Sequence, residues 1–371
     1  MKKTIKIRIF KISLIIIFVL LFLICSEFIL RKFSPLPIFS PYLDYPPYKI
    51  ISFKSNLNGI TSPTTFSTNK WGFRGIDPPK DWDNYHTIIT IGGSTTQCLF
   101  LDDSKAWPFI LEKELTEKKN SKFWVGNAGI DGHSSTGHLF VMKEVILKIK
   151  PKTVIMLVGT NDLACSLTGE IYKPEKIFLK KLNKKGICYF LFSNLKILQI
   201  LNLWKEIVFN RNVVISKEVD WNFIPKKLET ETLLPEDLRK ILPSLKTFRL
   251  NIEDIIQLSK ENNIRIIFLT QPSVYSDNKF WLNKETPIFW IPKQKYHISG
   301  NTKFKLLTIF NNELIKICKE NNVEHFDLAS NIPHNFEYFY DDVHFNDKGS
   351  ILVGKEVANY MIKTMEKTDT K

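Results

Sequence analysis

The chain has 371 residues, 44% of them apolar and 24% charged, with 52 Lys and Arg against 38 Asp and Glu for a net charge of +14. That balance excludes wholesale disorder and a polytopic membrane protein. Five cysteines with no CxxC pair exclude a disulfide-dense miniature scaffold and a cysteine-rich zinc site.

The first predicted element accounts for nearly half of the charge. Lys2, Lys3, Lys6, Arg8, Lys11, Arg31 and Lys32 stand against Glu27 alone, and they flank an apolar run, Ile12–Leu30, broken only by Ser13, Ser26 and Glu27. As a helix rising ~1.5 Å per residue, this run spans roughly the hydrocarbon core of a bilayer. Five cations precede it, which keeps the N-terminus cytoplasmic and the rest of the chain on the outer side of the cell membrane. A cleaved signal peptide shares the charged start, but no A-x-A-like site follows Leu23 and apolar residues resume at Phe28. Residues 1–33 are therefore expected to be an uncleaved signal anchor. Leu23 and Ile24 stand where a lipoprotein at Cys25 would need a small residue. The charge outside this segment is diffuse, without a basic helix carrying interleaved aromatics, so no nucleic-acid partner is expected.

Residues 34–83 read as a lead-in. Pro35, Pro37, Pro41, Pro46 and Pro47 suit an extended stalk, and residues 49–83, with turns at Asn58-Gly59, Trp71-Gly72 and Pro78-Pro79, read as irregular. From 84 to 365 hydrophobic strands and helices alternate. Strands are expected at 86–91, 123–125, 153–158, 264–270 and 323–327. Helices are expected at 107–118, 137–149, 244–262, 304–321 and 346–363, the last capped by Asn346 or Asp347. Strands apolar throughout and separated by helices indicate a parallel sheet covered on both faces, a three-layer α/β/α domain. Insertions at about 166–243, with a helix near 191–208, and at 274–302 interrupt it. The aromatics of the second, Trp281, Phe289, Trp290 and Tyr296, are expected to pack the insertion onto the domain.

Several strand ends carry polar residues suited to chemistry. The first runs into Gly92-Gly93-Ser94-Thr95-Thr96, where two glycines permit a sharp turn that exposes Ser94 at a helix start beside outward N–H groups. No GK[ST] follows, so this is not a nucleotide-binding loop. The second ends in Asn127-Ala128-Gly129-Ile130-Asp131-Gly132-His133, where a glycine can offer its N–H unobstructed. The third ends in Gly159-Thr160-Asn161-Asp162, and Asn161 carries a directional amide donor. Before the last helix stands Asp341-Asp342-Val343-His344. The spacing of Asp341 and His344 lets the carboxylate hold Nδ1–H and leaves Nε2 as a base. Plainer roles exist for each piece, as N-cap, turn or core residue. The ordered set is a nucleophile, three oxyanion donors and an oriented base.

This ordered set, over about residues 86–363, resembles the SGNH hydrolases, also called GDSL-like esterases and lipases. The resemblance places the family's four defining residues on Ser94, Gly132, Asn161 and His344, with Asp341 completing the triad. It implies a flavodoxin-like α/β/α fold and attack of Ser94 on an ester carbonyl. The oxyanion would be held by the Ser94 and Gly132 N–H groups and the Asn161 side chain, with no metal or organic cofactor. Gly93 stands where the family usually has Asp, as in similar membrane-anchored members, and Asn69-x-x-Gly72-Phe73-Arg74 is similar to a segment that precedes the domain in them. A packing role against the first strand is expected for it. The activity implied is hydrolysis of O-acyl esters, O-acetyl among them, of glycans or lipids. An O-acyltransferase acting on a cell-surface polysaccharide and a non-catalytic binding module are the alternatives. Cys98 and Cys165 lie near two of these strand ends and could pair outside the cytoplasm; two buried thiols are the plainer expectation.

Overall fold

The structure is a computed structural model that describes residues 2–33, 43–168, 195–205, 208, 214–220, 224–232, 238–285 and 297–369. The expected stalk residues Pro35, Pro37 and Pro41, the insertion aromatics Phe289, Trp290 and Tyr296, and Cys188 lie outside them.

The chain opens with α1 (Lys2–Phe33), whose segment Phe10–Lys32 is long and apolar enough to cross a membrane and is largely exposed, touching the rest of the chain near Glu27. Two strands follow, β1 (Ile50–Ser55) and β2 (Thr64–Ser67), paired antiparallel. Residues 49–83 are thus not irregular: Ile51, Phe53 and Phe66 alternate with polar neighbours and bury one face against Leu99 and Phe100. Nor does the chain lead away as a stalk at 43–48. Leu43 is buried in the main core, because the left-handed turn at Gly72 (φ +84°) leaves the space its side chain fills.

The central sheet contains β3 (His86–Gly92), β4 (Phe123–Asn127), β5 (Thr153–Leu157), β7 (Arg265–Leu269) and β8 (Glu324–Phe326). All its pairs are parallel, in the order β4-β3-β5-β7-β8. Counted along this sheet the order is 2-1-3-4-5, the flavodoxin-like arrangement. Between the strands run α2 (Ser94–Gln97), α3 (Trp107–Lys119), α4 (Ser135–Val141, continuing through a π turn to Ile149) and α5 (Thr160–Thr168). Beyond β5 come α6 (Lys196–Lys205), β6 (Val214–Val219), α7 (Leu238–Glu261), α8 (Gly300–Glu320) and α9 (Asp347–Asp369). β6 pairs in parallel with β1, so the first insertion returns to the lead-in sheet.

The two-residue period of the strands builds the three layers. Ile89, Ile91, Val154, Met156, Ile266 and Phe268 face one side and pack on α4, α5, α7 and α8. Ile88, Ile155, Leu157, Ile267 and Leu269 face the other, against Trp107 and Leu111 of α3 and Val353 and Val357 of α9. The Asn346 carboxamide caps α9, accepting from the Gly349 N–H at 3.0 Å. Trp281, in the second insertion, is buried against Tyr275 and Phe336, as packing of that insertion requires.

Candidate active site

The carboxyl end of β3 turns directly into α2, whose first residue is Ser94. The Thr96 and Gln97 N–H groups both donate to the Gly93 carbonyl at 3.0 Å, which closes the turn. Gly93 has no room for a side chain: a Cβ there would lie 2.4 Å from the Asn161 Nδ2 and 3.3 Å from the His133 carbonyl oxygen.

Asn161 lies in the first turn of α5, and its Nδ2 donates to the His133 carbonyl at 2.9 Å. One of its two amide hydrogens is thereby committed and the other remains. Gly132, beside His133, adopts φ +70°, with nothing within 4 Å of where a Cβ would sit. Asp162 ties these pieces together, since its buried carboxylate accepts from the Ser135 N–H at 3.1 Å and from the Ser135 hydroxyl at 2.5 Å. Burial pushes its pKa up to about 6 against those hydrogen bonds.

The loop before α9 brings His344. His344 Nε2 stands 2.7 Å from the Ser94 Oγ, and Nδ1 stands 2.7 Å from the Asp341 Oδ2. Asp341 also accepts from its own loop, the Val343 and His344 N–H groups bonding to Oδ1 at 3.0 and 2.8 Å. Burial disfavours the His344 imidazolium, but Asp341, and more distantly Asp342 and Asp131, outweigh it, so its pKa is raised. The other buried histidine of note, His138, lies behind the Gly92 carbonyl and is held neutral, burial pushing it down to about 4.

Ser94, Gly132, Asn161, Asp341 and His344 therefore border one site at the carboxyl ends of the strands. Several residues that hold it were not singled out from the sequence. Tyr340 stacks on the His344 ring, 5.5 Å between centroids at 7°. Asp342 accepts from Lys303 Nζ at 2.6 Å and from the Tyr275 hydroxyl at 3.3 Å, which fixes the 341–344 loop to α8 and to the segment after β7. Asp44 of the lead-in accepts from the Gln97 side chain at 2.9 Å and from the Asp131 N–H at 3.1 Å.

Arg74 holds the back of α2. Its guanidinium donates to the Gln97 carbonyl at 2.8 Å, the Leu101 carbonyl at 2.7 Å, the Cys98 carbonyl, and Asp103 at 2.8 Å. The doublet Asp341-Asp342 and the Gly72-Phe73-Arg74 run were the visible signals for these contacts.

Asp341, Asp342 and His344 lie close enough to share an ion, their ligand atoms being within 4.8 Å of one another. Their donors and acceptors are already engaged by Lys303, Tyr275 and Ser94, so an ion would have to displace them. No disulfide joins Cys98 to Cys165.

A fold of this topology with this site defines a class, the ester hydrolases. The GDSL-like lipase/acylhydrolase family matches residues 90–350, and the chain belongs to that family. The esterase TesA of Pseudomonas aeruginosa is 33% identical to it over 76 residues, which make up 20% of this chain and 37% of that protein. The chain thus matches little more than a third of this curated relative. Among solved structures, the acetyl xylan esterase AlAXEase is similar with a TM-score of 0.41 and 15% identity, covering 74% of this chain and 98% of that one. Axe2, an acetylxylan esterase from Geobacillus stearothermophilus, gives 0.40 and 12%, covering 73% and 91%.

Proposed function

We propose that the chain is a serine esterase that hydrolyses O-acyl esters of glycans or lipids outside the cytoplasmic membrane. In this reading residues 1–33 are the anchor, 34–83 the lead-in and 84–365 the catalytic domain. The observation that carries it is the continuous hydrogen-bond chain from Ser94 through His344 to Asp341. With its proton on Nδ1 and donated to Asp341, the imidazole accepts the Ser94 hydroxyl proton at Nε2 as Oγ attacks the ester carbon. The oxyanion formed is met by the Ser94 and Gly132 N–H groups and by the second Asn161 amide hydrogen. Collapse breaks the bond to the alcohol, which leaves with the proton from Nε2. Water then repeats the sequence on the acyl-serine, releasing the acid and restoring Ser94.

Replacing Ser94 with Ala tests the assignment. Turnover of nitrophenyl acetate and labelling by a fluorophosphonate probe are both expected to disappear while the circular dichroism spectrum is unchanged. Activity retained in that variant would sink the proposal.

A further inference from the structure

Glu27 is the sole acid within the apolar segment Phe10–Lys32, and an unpaired charge there would be costly. It is engaged three ways. Oε1 accepts from Arg31 Nε at 2.7 Å and from the Lys196 N–H at 2.8 Å, while Oε2 accepts from the Ile197 N–H at 3.0 Å. Lys196 and Ile197 open α6, so a carboxylate from α1 caps a helix of the first insertion, satisfying two of its orphan donors and facing its positive end.

The sequence of α6, Lys-Ile-Leu-Gln-Ile-Leu-Asn-Leu-Trp-Lys, is apolar at six positions and basic at both ends. Ile197, Leu198 and Ile200 are half-buried, but Leu201 and Trp204 are 58% and 62% exposed. For a helix standing in water this is an unexplained cost. Glu27 precedes the end of the apolar run at Leu30 by three residues, or ~4.5 Å of helix rise. That depth lies just inside the boundary between acyl chains and headgroups. Tryptophan and leucine on one face with lysines at the ends suit that layer, and Lys32, Lys196 and Lys205 supply charges complementary to anionic lipid.

We propose that α6 is an interfacial helix, docked through Leu201 and Trp204 on the lipid surface of the bilayer that α1 spans, with Glu27 as its clamp. The inference rests on the membrane reading of α1. From α6 the chain runs on to β6, which is in register with β1, Val214 opposite Ile50 through Val219 opposite Ser55. The catalytic domain is therefore tied to the membrane by two routes, the lead-in and the first insertion, and is held close to the surface instead of swinging on one linker.

The full-length chain reconstituted in vesicles of phosphatidylcholine and phosphatidylglycerol, with bromine near the headgroup end of the acyl chains, provides the test. Flotation with the vesicles after a carbonate wash reports the anchor, and quenching of tryptophan emission reports contact with lipid. The expected result is quenching in the wild type that is lost in Trp204→Phe and reduced in Glu27→Ala. Both variants should still float and still turn over nitrophenyl acetate at the wild-type rate. Equal quenching in wild type and Trp204→Phe, with both floating, would overturn the docking of α6 and leave the anchor standing. Concentration-dependent self-association lost in Trp204→Phe, without a quenching difference, would instead assign the face to a second copy. A wild-type chain that does not float would remove the membrane reading and this proposal together.

Discussion

At the scale of single residues the site is governed by the charge around His344. Burial lowers its affinity for a proton, and the Asp341 carboxylate at 2.7 Å reverses that. In the proposed mechanism His344 is the base and is active only above its raised pKa, so the acid limb of kcat/KM should lie above about 6.5, the value for free imidazole. Asp341→Asn removes the principal opposing charge and the acceptor that sets the tautomer. We expect kcat on nitrophenyl acetate to fall about 10⁴-fold, with the acid limb moved to lower pH. A pH–rate profile of the variant checks both; an unmoved limb would mean that Asp341 does not set the His344 charge. Local spacing alone made this pair legible, since an i, i+3 carboxylate and imidazole meet within one turn. Tyr340 and Lys303 were not legible, because a stacked ring and an ion pair between elements leave no mark on the spacing of either partner.

At the scale of elements, the four-residue α2 cannot hold its own geometry, having almost no internal hydrogen bonds. Arg74 substitutes for them from outside. Its side chain is 3% exposed and its donors satisfy three carbonyls behind Ser94 together with Asp103. Arg74→Met should therefore cost about 3–5 kcal/mol, because it leaves a partly buried carboxylate and several carbonyls without partners. Urea unfolding would measure it, and a loss under about 1 kcal/mol would contradict this account. The expectation of simple packing for this segment fell short of its role.

The α3–β4 pair carries a second prediction. β4 is an edge strand, and Glu112 of α3 accepts its outward Val125 N–H at 2.7 Å. Burial pushes the Glu112 carboxyl up to about 7, against the hydrogen bond from Val125. Its folded pKa exceeds the unfolded value of about 4.3, so its contribution is complete below that pH and is lost as pH rises through about 7. Glu112→Gln keeps an acceptor for Val125 and carries no charge. Its urea midpoint should match the wild type near pH 4 and exceed it at about pH 8. A midpoint below the wild type at the higher pH would show that the ionised form is the stabilising one.

Across the whole molecule, the sequence by itself determined the layers and the polar strand ends of the candidate site. Continuous apolar runs in β3, β5 and β7 and helical spacing between them are local properties, and each block such as Gly92-Gly93-Ser94 or Asp341-Asp342-Val343-His344 declares its residues by type. What only the tertiary structure decided is which distant segments complete the site. Leu43 and Asp44 fold back onto the domain instead of forming a stalk. Asn161 lies against Gly93 and donates to the His133 carbonyl, and Arg74 reaches the carbonyls behind Ser94 from the lead-in. The first insertion returns as β6 to pair with β1, and Glu27 caps α6 across 169 positions of sequence. The physical reason is the range of the interactions. Strand and helix patterning arises between neighbours a few residues apart, whereas a buried guanidinium, a capping carboxylate or a parallel strand partner is chosen only when the folded chain removes water from both groups at once.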